Sequence, residues 1–187
     1  MVSVFSLWLP VLLSAVFVFI VSSIIHMVLK YHSSDFLKVP KEEEVMDALR
    51  PFNIPPGSYS IPRAGDMKEM NTPGYQEKLK QGPVAMLTVL ANGPVKMGSA
   101  LIQWFIFCVV VGIFAGYVAG IKLAPGAAYI EVFRMTSVVA FCGYAMALWS
   151  QKIWYAQGTG TTVKSTIDGL IYGLVTGGTF GWLWPSI

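Results

Sequence analysis

The sequence predicts an all-α membrane protein: four transmembrane helices in a compact bundle, with a small α+β cytoplasmic cap between helices 1 and 2. Three observations predict it. Of 187 residues, 55% are hydrophobic and only 12% charged, with a mean hydropathy of +0.60, whereas soluble domains carry about a quarter charged residues. The charge is also bunched, since nine of the 13 basic residues lie between Lys30 and Lys96 and eight of the 10 acidic ones between Asp35 and Glu77. Four apolar runs flank that segment. Each has roughly 19 to 26 residues, enough at about 1.5 Å per residue to cross a hydrocarbon core of about 30 Å.

The first run, residues 4–29, follows a start without basic residues and is too long for the apolar part of a cleavable leader, so it reads as transmembrane helix 1. Residues 30–97 form the cap. In it, Pro40 precedes Lys41-Glu42-Glu43-Glu44 and Pro51 follows Arg50. Acids in the first turn and a base in the last suit the helix dipole, which predicts a helix over 41–50 with Val45, Met46 and Leu49 on its apolar side. Runs bounded by glycine and proline predict short strands over 57–62 and 84–90, and Tyr75–Lys80 suits a turn or two of helix. Residues 98–187 form a three-helix unit with spans at 99–120, 129–149 and 166–184.

Basic residues mark the cytoplasmic side of a membrane. Lys30, Lys38, Lys41, Lys78, Lys80, Lys96, Lys152 and Lys164 share the side of the cap, against Lys122 and Arg134 on the other. The cap is therefore expected in the cytoplasm and both termini outside, in a bacterial-type inner (plasma) membrane. A formal net charge of +3, mixed in sign along the cap, does not suit nucleic acid, which asks for clustered bases. Cys108 and Cys142 fall inside apolar spans and read as buried packing residues.

The most specific pattern is glycine at every fourth position: Gly112, Gly116 and Gly120 in the second span, and Gly169, Gly173, Gly177 and Gly181 in the fourth. Lipid gives no hydrophobic reward for helix association, so small residues that let backbones approach mark helix contacts. The two spans run parallel, and matching depths predict that Gly112 and Gly116 face Gly177 and Gly181, within one protomer or between two.

Span one carries a second diagonal of Ser14, Ser22 and His26. It reads either as serines packed on another helix, with their hydroxyls bonded back to their own backbone, or as a polar track for protons, an ion or a headgroup. Glu131 and Arg134, three apart, make a candidate interfacial ion pair. Ser165 and Asp168 have capping-box spacing at the start of the fourth span, with Lys164 able to pair with Asp168. Met67-Lys68-Glu69-Met70 is a thin copper-type hint. His26 and His32 lack an evident third metal ligand, Asp35 being the nearest in sequence. No metal and no cofactor is expected.

Walker, zinc-protease and nucleophile-elbow motifs are absent from the sequence. The expected function is a non-catalytic assembly or accessory subunit, or a homo-oligomer, with the lipid bilayer and other membrane subunits as partners. The alternatives are a small oligomeric channel using the serine–histidine track, and a membrane enzyme on a lipid or quinone. The last requires a cleft that touches at least two of His26, His32, Asp35 and Asp168.

Overall fold

The computed structural model describes residues 1–94 and 96–186. The chain divides into two units, one of Met1–Phe36 with Lys96–Ile187 and one of Leu37–Val95. In the first, helix α1 occupies Val4–Val28 and ends in a π-helical turn, Ile24–Val28. In the second, α2 (Glu42–Leu49), α3 (Met67–Met70) and α4 (Pro73–Gln81) accompany strands β1 (Gly57–Ile61) and β2 (Ala85–Val89). The first unit continues with α5 (Met97–Lys122) and α6 (Tyr129–Tyr155) and closes with α7 (Thr159–Trp182).

Among the described residues, α1, α5 and α6 are the three helices long and apolar enough to cross a membrane. The fourth predicted span is helical, but α7 begins at Thr159, seven residues earlier than expected, and is less apolar than the other three. Its inward face is built from Thr162, Gly169, Gly173, Thr176, Gly177 and Thr179, all buried. Small and hydroxylated side chains lower its hydropathy while letting α6 and α1, its main neighbours, come close. The threonine hydroxyls cost little inside the bundle because they donate to carbonyls one turn back, Thr176 to Tyr172 and Thr179 to Val175, each at 2.9 Å.

The two glycine stripes face different partners, not each other. A Cβ on Gly112 would touch Val11 and Ser14 of α1 at 3.4 Å, and one on Gly116 would lie 3.0 Å from the Phe180 ring. Gly120 sits under the Val2 carbonyl, where the Val2 amide donates to the Gly120 carbonyl at 2.8 Å. In α7, Gly169 abuts Ala145, Gly173 abuts Ser137 and Phe141, Gly177 abuts Phe133 and Ser137, and Gly181 abuts Tyr129. The α5 stripe thus receives α1, the chain's first residues and, at Gly116, the Phe180 ring of α7, and the α7 stripe receives α6. Matching positions along the two helices do not fix azimuths about the helix axes.

A second π-helical turn, Cys142–Met146, lies within α6. It brings Ala145 against Gly169 and Tyr144 into a core cluster with Val18, Cys108, Val111, Ala140 and Tyr172. Cys108 is buried as expected, but Cys142 is exposed on the outer side of that turn. A further core cluster gathers Val2, Leu7, Val11, Ala119, Val132, Phe180 and Trp184.

In the second unit β1 and β2 pair antiparallel, Gly57 opposite Val89 and Ile61 opposite Ala85. Thr72 caps α4 by accepting from the Tyr75 amide at 3.3 Å, ahead of Pro73 in the first turn. The Met67–Met70 run is a single helical turn whose cap, Asp66, accepts from the Glu69 amide at 2.8 Å. The expected apolar side of α2 stays open to solvent: Met46 and Leu49 line a cavity of about 510 Å³ with Ile54 and Val89.

These contacts predict that Gly177→Ala, whose new methyl would meet the Phe133 carbonyl at 2.8 Å, and Gly120→Ala destabilise the detergent-solubilised protein by about 1–3 kcal/mol each. Gly160→Ala, with no atom within 4 Å of its Cβ, should leave the thermal midpoint unchanged or slightly raised.

Candidate functional site

Lys30 follows α1 in the left-handed region, with φ 51°, a conformation that costs a lysine about 1–2 kcal/mol relative to right-handed backbone. It turns the chain into a 3-10 turn, Tyr31–Ser34, which lays the His32 ring beside that of His26, centroids 4.4 Å apart. The π-helical end of α1 carries His26 and the turn carries His32. Two histidines six apart in sequence therefore share one site.

The turn is fastened to α7. His32 Nδ1 lies 2.6 Å from an Asp35 oxygen and His32 Nε2 lies 2.7 Å from Asp168 Oδ2. The Tyr31 hydroxyl donates to Asp168 Oδ1. Lys164, one turn before Asp168, donates to the Tyr31 carbonyl at 2.6 Å, to Ser34 Oγ at 2.9 Å and to Asp35 Oδ1 at 2.9 Å. All three ammonium protons thus have acceptors. His26 Nε2 stands 4.0 Å from Asp168 Oδ2, with the Tyr172 hydroxyl 3.5 Å from the same nitrogen.

Asp168 is only 3% exposed, so its charge is held by these partners and not by water. The ring of His32 bridges two carboxylates. Both nitrogens donate only in the imidazolium form; with a neutral ring, one carboxyl must carry the proton. Burial, reinforced by the hydrogen bond to Asp168, holds the Tyr31 hydroxyl well above the usual phenol range, so it remains a donor. The hydrogen bond from His32, and behind it that from Lys164, keeps the Asp35 carboxyl below the usual carboxylate range against the opposing effect of its burial.

Beside His26 lies a largely apolar groove of about 430 Å³ between α1 and α5, walled by Ser22, His26, Met27, Met97, Leu101 and Trp104 among others. Of the four residues His26, His32, Asp35 and Asp168, His26 alone lines it. Ser22 donates to the Phe19 carbonyl at 2.9 Å and accepts from Trp104 Nε1 at 2.9 Å. Ser23 donates to the same carbonyl at 2.8 Å. With both serine protons committed, His26 is the polar side chain of this wall, among the described residues, with a hydrogen-bond donor to offer.

Comparison with family models, curated proteins and solved structures finds no match to this chain. The site must be read from its own chemistry.

Several expectations change here. Helix α7 starts too early for Ser165 to cap it, so Ser165 is an interior residue and Asp168 a buried acceptor about two and a half turns into the helix. Lys164 pairs with Asp35, not Asp168, because the folded-back turn offers it three acceptors at once. Glu131 and Arg134 are both exposed and form no ion pair among the described residues, as suits an exposed pair of low intrinsic worth. The serine diagonal is interrupted. Ser14, 1% exposed, donates to the Val11 carbonyl at 3.0 Å, and Val18 fills the next position of the face, fully buried. Tyr31, Ser34 and Tyr172 were not singled out for this site by sequence, and Lys164 only as a partner of Asp168. The signal for Lys164 was a lysine and an aspartate four apart in an otherwise uncharged stretch.

Two outcomes are expected. Tyr31→Phe leaves an Asp168 oxygen without its donor and should cost about 1–3 kcal/mol in detergent unfolding. Combined with Asp168→Asn, the loss should fall short of the sum, a coupling that separate structural roles would not produce. Lys30→Gly should keep or raise stability, since glycine adopts the left-handed region freely, whereas Lys30→Val should lower it.

Proposed function

We propose that this protein spans the membrane four times, with residues 30–97 in the cytoplasm and the termini outside, and binds a quinone-class molecule in the groove between α1 and α5. Support for the fourth span comes from α7, whose 24 residues rise about 36 Å and pack on α1 and α6. The balance of basic residues supports the orientation.

The observation that carries the ligand reading is the junction of the apolar groove with a protonatable cluster at His26. A cavity of about 430 Å³ falls within the usual range for small-molecule sites, which are mostly apolar with few placed polar groups. A quinone ring offers carbonyl acceptors to an imidazole N–H and an apolar body to Met27, Met97, Leu101 and Trp104. A phospholipid headgroup asks for a fixed cation, and the groove wall provides none: Lys164 has its three protons committed to Tyr31, Ser34 and Asp35. Because the groove touches His26 alone of the four acid–base residues, the reading is one of binding, with the cluster behind supplying or accepting protons, and not of an enzyme closed around its substrate.

The other readings have less support. All seven stripe glycines meet atoms of their own chain, so assembly through the glycine stripes has no unfilled stripe to use. The interrupted serine diagonal gives a channel no continuous polar path.

In lipid nanodiscs, a short-chain quinone should quench the Trp104 component of fluorescence saturably. Trp104→Phe should remove that component, and His26→Ala should weaken binding at least about tenfold, or about 1.4 kcal/mol. Quenching indifferent to His26→Ala would overturn the assignment. So would a stoichiometric phospholipid, found by native mass spectrometry, that the quinone fails to displace.

A further inference from the structure

We propose that His26, His32 and Asp168 form a binding site for a divalent first-row transition-metal ion at the end of the helix bundle. One ligand atom from each residue lies within 4.8 Å of the other two. His32 Nε2 is 2.7 Å and His26 Nε2 4.0 Å from Asp168 Oδ2. Around a tetrahedral ion with bonds of about 2.0–2.1 Å, neighbouring ligand atoms sit about 3.3 Å apart. Binding therefore needs the His32–Asp168 distance to open and the His26–Asp168 distance to close by less than about 1 Å each, and the two imidazole nitrogens, within 4.8 Å of each other, to close by up to about 1.5 Å. His26, half exposed and in the last turn of α1, has the room to make that adjustment.

The surroundings of each ligand favour this assignment over a plain polar staple. A histidine that binds a metal usually donates its other ring N–H to a carboxylate or carbonyl, which fixes the ring and leaves one nitrogen for the ion. His32 has this arrangement: Nδ1 faces Asp35 at 2.6 Å, and Asp35 is itself held by Lys164 at 2.9 Å. Asp168 is divided the same way, since Oδ1 accepts from the Tyr31 hydroxyl while Oδ2 faces the two imidazoles. His26 would use Nε2 for the ion and keep Nδ1 for a groove ligand. Two imidazoles and one carboxylate suit zinc or iron(II) and not magnesium or calcium, which prefer oxygen sets. Three protein ligands also leave a position open, the pattern of a reactive and not a purely structural ion. Asp35 is in this account a positioning residue that acts through His32.

This inference does not depend on what occupies the groove, because its readout is the metal itself. Untagged protein in detergent, stripped with chelator and dialysed against Zn²⁺ or Co²⁺, should retain a single ion per chain by elemental analysis. The Co²⁺ form should show the visible absorption of a low-coordinate nitrogen–oxygen site. His26→Ala changes a half-exposed residue and should keep helix content and particle size while weakening Zn²⁺ binding at least about 100-fold. Asp35→Asn should weaken it about 10- to 100-fold without removing a ligand. Substoichiometric uptake by the wild type would overturn the proposal and leave the cluster as a staple between the α1 turn and α7. Binding as tight in folded His26→Ala as in the wild type would overturn it equally.

Discussion

A carboxylate inside an apolar bundle must be met by donors brought to it, and Asp168 imposes that condition on the rest of the molecule. It lies well inside α7, 3% exposed, where leaving it without a partner would cost several kcal/mol. The donors come from the residues just after α1. To deliver them, the chain leaves α1 through a π-helical turn and reverses at Lys30 in the left-handed region. Tyr31 and His32 then reach Asp168, while Lys164 closes over the turn and holds Asp35. The strained lysine, the wide turn and the buried acid are parts of one arrangement, each of which would be a liability alone.

The glycines provide the complementary constraint. Polar contacts of 2.6 to 2.9 Å between α7 and the turn require the helices to be close and fixed in rotation. The close approaches at Gly112, Gly169, Gly173 and Gly177 bring α5 to α1 and α7 to α6, the glycines lying directly against partner backbone and side-chain atoms. Packing in lipid depends on such contacts more than on apolar burial. Two interactions of different physical kinds therefore act in one bundle: close approach along the stripes holds α5 to α1 and α7 to α6, and charge-assisted hydrogen bonds at one end tie the turn after α1 to α7.

At that end, chemistry and access meet. His26 belongs to the polar cluster on one side and to the wall of an apolar groove on the other. His26 Nε2 stands 4.0 Å from Asp168, whose hydrogen bonds lead through His32 to Asp35 and Lys164. The arrangement explains why residues able to titrate are tolerated beside the apolar core: each has its partner within the cluster, and only His26 faces outward.

Sequence by itself determined a mostly helical chain with helices apolar enough to cross a membrane, a small two-stranded sheet, and roughly where most of these elements lie. Apolar length marked the helices, charge bunching marked the intervening unit, and proline and glycine delimited its strands, because each of these is a local property of the chain. It also named His26, His32, Asp35 and Asp168 as the residues whose convergence would matter. Only the tertiary structure decided that they converge. The distances involved span more than 130 residues of chain, and periodicity gives the face of a helix without giving its partner. The same limit misplaced the glycine stripes, whose matching depths carried no information on rotation, and made Asp168 a cap, since a seven-residue error in the start of α7 turns an interior acid into a terminal one. What a residue touches in a membrane bundle depends on how helices are rotated against one another, and that is fixed by all of their contacts together.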